Sequence, residues 1–161
     1  MVCVGATTQK GETGEAMVVA DLVRQGYGVA IPFGHDLPFD LVLIRRGSLT
    51  LERVQCKYTE SDGRAIDVRC GSSSAWVRHT YEASEVDWIA VYDATTDCCY
   101  YLHSSTWGGL ARPRLRLTAA ANGQQKGVRP AQHFLRPELD PSLTTTGGQR
   151  PIATLTGPSP E

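Results

Sequence analysis

Four polar residues invite a chemical reading: Glu15, Asp40, Gln55 and Lys57. Two carboxylates and an amide carry oxygens of the kind a hard cation accepts, and the ammonium among them can face negative charge. One assumption about a turn brings three of them together. Residues 40–46 (DLVLIRR) and 49–58 (LTLERVQCKY) flank Gly47-Ser48, a Gly-X pair suited to a type II′ hairpin turn. With that pair at the turn centre, residue 46 lies opposite 49 and Asp40 opposite Gln55. The two-residue period of a strand then sets Lys57 on the Gln55 face. The other face carries Leu41, Leu43, Val54, Cys56 and Tyr58, while Val42, Ile44 and Leu51 make much of the first face apolar too. Both faces should therefore be covered, as in a sheet with helices on each side.

Glu15 belongs to a helix predicted over residues 10–26. Glu15, Val18, Val19 and Leu22 fall on one stripe, Thr8 or Thr13 can serve near the start, and Gly26 and Gly28 supply the stop. Glu15 continues the apolar stripe at its N-terminal end, with Glu12 one turn earlier. Either the two acids answer the helix dipole, or Glu15 is a carboxylate aimed inward at a site. A short strand at 27–31 follows, then a loop through Pro38 containing His35 and Asp36. Residues 71–84 read as a loop opening into a short helix, with Ser72–Ser74 able to bond a phosphate or simply make a turn. A second hairpin spans 87–93 and 99–102. Residues 115–117 form a short strand, 122–127 a loop and 130–135 a short helix. Residues 1–140 are thus expected to form one domain. Residues 141–161, rich in Pro, Gly, Ser and Thr, read as a disordered tail.

The 161 residues suit a single domain able to bury a sizeable core. A net charge of -1 excludes a polycation of histone type, so any grip on nucleic acid must be local. The one basic block is residues 105–140, with 6 basic and 2 acidic side chains, whereas residues 61–104 hold 3 basic and 7 acidic. Arg114, Arg116, Lys126 and Arg129 of that block are the candidate phosphate contacts. Gly123 and Gly127 there would let backbone N–H groups approach closely. No apolar run approaches the ~20 residues of a membrane span, and the polar N-terminus is no signal peptide. The 5 cysteines are odd in number and make no C-x-x-C, which points to a reducing cytoplasm rather than a disulfide framework. Cys98-Cys99 matches no zinc spacing, and Trp76, Trp88 and Trp107 are expected in the core or an interface.

Helix, strand, hairpin, helix, hairpin, with Glu15, Asp40 and Gln55-x-Lys57 at three chain-distant points, resembles the PD-(D/E)XK nuclease superfamily. There a helix glutamate, a strand aspartate and an acid-x-Lys surround a divalent metal. The P-D step reads Pro38-Phe39-Asp40 here, and the acid-x-Lys position reads Gln55-Cys56-Lys57. Gly11-Glu-Thr-Gly14-Glu15 is similar to the helix motif of resolvase-like branches. Gln-x-Lys, the segment from Tyr81 to Trp88 and the segment from Asn122 to Arg129 resemble group I intron-encoded homing endonucleases of this class and their free-standing relatives, over about residues 10–136.

The resemblance implies an α/β fold of restriction-endonuclease type, a mixed sheet flanked by helices, and an endonuclease hydrolysing double-stranded DNA. It implies Mg²⁺, with Mn²⁺ able to substitute. Asp40 would be the main ligand, Gln55 would offer an amide oxygen, and Glu15 would bind a metal-shell water or a second metal. Lys57 would orient the attacking water and stabilise the developing phosphorane charge. Two-strand cleavage implies a homodimer or homotetramer. A Holliday junction resolvase, and a non-catalytic DNA-binding or assembly module that Gln55 would suit, are the alternatives.

Overall fold

The computed structural model describes residues 6–34, 36–73, 78–107, 110–119 and 127–139. Helix α1 (Ala6–Arg24) ends where Gly26 takes φ +90. The Tyr27 N–H reaches the Leu22 carbonyl and the Gly26 N–H the Val23 carbonyl, both at 3.0 Å, so the last turn is closed by a Schellman motif. Strand β1 (Gly28–Ala30) then pairs antiparallel with β2 (Leu41–Ile44), which pairs antiparallel with β3 (Leu51–Thr59). Two short strands, β4 (Ala65–Asp67) and β5 (Gly71–Ser73), precede β6 (Arg78–Thr80), β7 (Trp88–Asp93) and β8 (Cys98–His103). One turn of helix, α2 (Ser104–Trp107), a last strand β9 (Arg114–Arg116) and a 3₁₀ turn at Ala131–Phe134 complete the described chain.

The main sheet has the order β1-β2-β3-β7-β8, with β3 and β7 parallel and the other pairs antiparallel. Two acidic latches hold the parallel pair in register. At one end Asp87 Oδ2 accepts from the Arg53 backbone N–H at 2.7 Å and from its Nε at 2.9 Å, and Oδ1 accepts from Nη2 at 2.9 Å. At the other, buried Asp93 accepts from the Ser61 N–H and hydroxyl, both at 2.8 Å, and from the Thr96 hydroxyl at 2.9 Å. A buried carboxylate persists only when its oxygens are satisfied in this way. The register sets Gln55 beside Ile89 and Lys57 beside Val91.

Both sheet faces are covered, by different means. α1 lays Val18 and Leu22 on Leu41, Leu43, Val54, Cys56, Trp88 and Tyr101. On the opposite face no long helix lies among the described residues. Ile89, Val91, Tyr100 and Leu102 are covered instead by Ile66, Val68 and Leu115 of the β4–β9 ribbon region, with Tyr81, Trp107 and Phe134. The expected sheet flanked by helices is present, with the long helix α1 on one face and, among the described residues, only the short α2 and the 3₁₀ turn helping the ribbon to cover the other. Residues 71–84, expected to open into a helix, carry the β5–β6 hairpin, with 74–77 outside the described residues.

The β2–β3 turn is also corrected. Gly47 does not take the positive φ that a type II′ turn requires there; Leu49 does, at φ 55. The connection is a four-residue loop, 46–49, closed by Arg45 N–H to Thr50 carbonyl at 3.0 Å and Leu49 N–H to Arg45 carbonyl at 2.7 Å. Both loops are centred between residues 47 and 48, so the pairing is the expected one, with Leu41 opposite Val54.

Candidate active site

Asp40 sits one residue before β2, its N–H bonded to the Val54 carbonyl at 2.9 Å. Its side chain turns onto β3. Oδ2 accepts the Cys56 backbone N–H at 2.7 Å and also the Gln55 side-chain amide. Gln55 is buried and donates in addition to the Cys56 carbonyl at 3.3 Å. Burial pushes the Asp40 carboxyl above its ordinary value, opposed by the Cys56 N–H, the Lys57 charge and the Gln55 amide. Asp40 and Gln55 therefore meet at the end of the β2–β3 pairing.

Glu15 reaches this corner from α1 on the other side of the sheet. The helix can come close because Gly14 is buried against β3: a Cβ there would lie 3.2 Å from the Tyr58 Cβ and 3.4 Å from the Lys57 carbonyl. Glu15 is exposed. It shares with Asp40 a cleft of about 180 Å³ walled by Ile31, Pro32, Gly34, Leu37 and Phe39. The Cys56 thiol registers both acids. Its pKa is raised well above normal by burial first, then by the negative charges of Asp40 and Glu15.

Lys57 is half-buried, and Nζ lies 3.2 Å from the Tyr81 hydroxyl and 5.0 Å from the centroid of its ring. It lines a larger cleft, about 610 Å³, with Lys10, Glu60, Asp67 and Arg69. The structure thus joins Asp40 and Gln55 directly and Glu15 through a shared cleft, and sets Lys57 two residues along β3 at the mouth of a neighbouring one. Tyr81 was legible only as part of a segment shared with relatives, and Arg69 had no signal, being in the segment that reads as acidic.

The basic block is more dispersed than its sequence suggests. Arg114 holds Asp67 through Nε at 2.7 Å and Nη2 at 3.0 Å. Arg129 donates to the Thr106 carbonyl at 3.1 Å. Arg116, half-buried, lines a cleft with Arg64, Asp67 and Arg114. Lys126, with residues 120–126, and His35 lie outside the described residues, as do Cys3, Ser74, Trp76 and residues 140–161. Trp88 and Trp107 are core residues. Cys56, Cys70, Cys98 and Cys99 are free, and among the described residues no three His, Cys, Asp or Glu side chains gather as a metal site.

The donors that do gather are the Asp40 and Glu15 carboxylates and the Gln55 amide. They still fit Mg²⁺, which takes hard oxygens, needs only one or two carboxylates from a protein and retains several waters.

No helix among the described residues is long and apolar enough to cross a membrane. No curated protein matches the sequence. Among solved structures the fold is similar to that of the bacterial homing endonuclease I-Ssp6803I, with a TM-score of 0.59 and 21% identity over 81% of this chain and 88% of that one. The sequence model for the PD-(D/E)XK endonuclease matches residues 6–137. A mixed five-stranded sheet with α1 on one face, and a match running through nearly all of the described chain, place this protein in the PD-(D/E)XK endonuclease family.

Proposed function

We propose that the protein is a divalent-metal-dependent endonuclease of homing type that hydrolyses phosphodiester bonds in double-stranded DNA as a symmetric oligomer. The observation that carries the reading is Asp40 seated on β3 against Gln55 and the Cys56 N–H, with Lys57 two residues along. Asp40, Glu15 and the Gln55 amide would hold Mg²⁺, or Mn²⁺ in its place. When bound, the metal supplies Lewis acidity to the phosphate and a more acidic water. The Cys56 N–H and Gln55 amide fix the Asp40 carboxylate so that one oxygen is anchored to β3. Lys57, steadied by Tyr81, faces negative charge that builds on the phosphate and orients the attacking water. Only neutral Gln55 stands where the superfamily has an acid, so metal affinity in the free protein is weak and gains from DNA phosphate.

Linear and four-way DNA substrates incubated with Mg²⁺, for the wild type and Asp40→Ala, test the reading. Cleavage of linear duplex that Asp40→Ala abolishes is the expected result. Preference for the four-way substrate would make the protein a junction resolvase. Duplex binding without metal-dependent cleavage would make it a binding module on a nuclease fold.

A further inference from the structure

Two clefts adjoin along a shared wall. The cleft lined by Lys10, Lys57 and Arg69 shares Thr59, Glu60 and Asp67 with the cleft lined by Arg64, Arg114 and Arg116. Six cations drawn from four separate stretches of the chain therefore line two adjoining clefts, which together make a candidate trough. Its acids are Glu60, Asp62 and Asp67, and each is already engaged. Glu60 takes the Lys10 ammonium at 2.6 Å and the Tyr58 hydroxyl at 2.8 Å. Asp67 is held by Arg114, and Asp62 accepts the Arg64 and Ala65 N–H groups at 2.9 and 3.1 Å. Among the described residues no ion pair occupies Lys57, Arg64, Arg69 or Arg116.

This cationic face is hidden in the sequence, because residues 61–104 count as acidic overall. Asp62 and Asp67 of that segment line the trough, but four of its seven acids are engaged outside it. Asp87 binds Arg53, Asp93 is buried among hydroxyls, Glu85 faces His79 and Asp97 takes the Tyr92 hydroxyl. In a protein of net charge -1, a trough with twice as many cations as acids is a strong local field.

We propose that this trough binds the phosphodiester backbone of one DNA strand, entering at Lys57 beside the Asp40 corner and running past Arg69 and Arg64 toward Arg116. The inference rests on the nuclease reading and assigns contacts within it. Arg64 and Arg69 are the exposed side chains that carry the test. Phosphate contacts act on every sequence alike, and each one lost flattens the salt dependence of binding by about one unit of slope.

The experiment is a titration of labelled duplex with the full chain, in Ca²⁺ to hold off cleavage, across a series of salt concentrations. The double variant Arg64→Ala/Arg69→Ala should flatten the slope by about two units, weaken binding to duplexes of unrelated sequence equally, and retain the wild-type melting temperature. Arg69→Glu should weaken binding further, and Arg24→Ala, on the far end of α1, should leave the slope unchanged. A wild-type slope in the double variant overturns the trough while leaving the nuclease reading intact. A wild-type protein that binds no duplex at any salt overturns both.

Discussion

Asp40 is the residue on which most depends, and its environment sets a pH signature. Burial, the largest influence, raises its carboxyl; the Cys56 N–H, Lys57 and Gln55 pull against it. The folded chain therefore holds this proton more tightly than the unfolded chain does. The resulting stabilisation is complete below the unfolded carboxylate value and is lost as pH rises through the folded one. Asp40→Asn keeps an acceptor oxygen and removes the ionisation. It should be at least as stable as wild type at neutral pH, with the difference shrinking in acid, which thermal melts along a pH series would show. The same variant should lose metal-dependent cleavage, and a variant retaining wild-type rates would refute the ligand role. Lys57→Ala should reduce kcat on the order of 100- to 1,000-fold. Tyr81→Phe, which keeps the ring face and removes the hydroxyl, should cost roughly 10-fold in kcat with KM unmoved, consistent with about one hydrogen bond to a charge.

Two joints between elements hold the site together, and each predicts a stability effect. The first is the crossing of α1 over β3 at Gly14, where only a hydrogen fits comfortably against Tyr58. Gly14→Leu should push the helix outward, cost about 1–3 kcal/mol and draw Glu15 away from Asp40. Its midpoint in denaturant and its cleavage rate should fall together. The second is the Arg53–Asp87 latch. Burial alone would raise the Asp87 carboxyl, but the Arg53 side chain and N–H hold it below its ordinary value. Its stabilisation is present above the unfolded carboxylate value and is lost as pH falls through the lowered one. Asp87→Ala should cost about 2–3 kcal/mol at neutral pH and progressively less in acid. A flat difference across that range would mean that the latch works through packing rather than charge.

For the molecule as a whole, the proposed reaction demands two cuts and the chain carries one candidate site. Symmetric self-association supplies the second site, and a pseudo-palindromic DNA target follows from it. Light scattering should give a dimer or tetramer, free or on DNA; a monomer in both conditions would remove the two-strand reading. The distribution of charge is also a property of this scale. Cations at positions 10, 57, 64, 69, 114 and 116 line two adjoining clefts although no stretch of the sequence announces them together.

What the sequence determined alone is what local pattern controls. The stripe through Val18 and Leu22 made α1, and Gly26 ended it. The alternation in residues 40–58 set the pairing that seats Leu41 opposite Val54 and brings Asp40 to Gln55, and this is unaffected by the turn type because a two-residue and a four-residue loop centred on the same point give one register. The parallel pairing of β3 with β7 was not legible. It joins segments separated by a long crossover, and buried strands on either side of such a pairing read only as apolar runs. The strands β4, β5 and β6 are three residues each, too short for a period to show. Of these, β4 helps to cover the second face of the sheet through Ile66. Tertiary structure likewise decided that Tyr81 stands against Lys57 and that acids between residues 61 and 104 are consumed by partners, leaving Arg64 and Arg69 facing the cleft. Charge counted along a chain is an average over directions that only the fold separates.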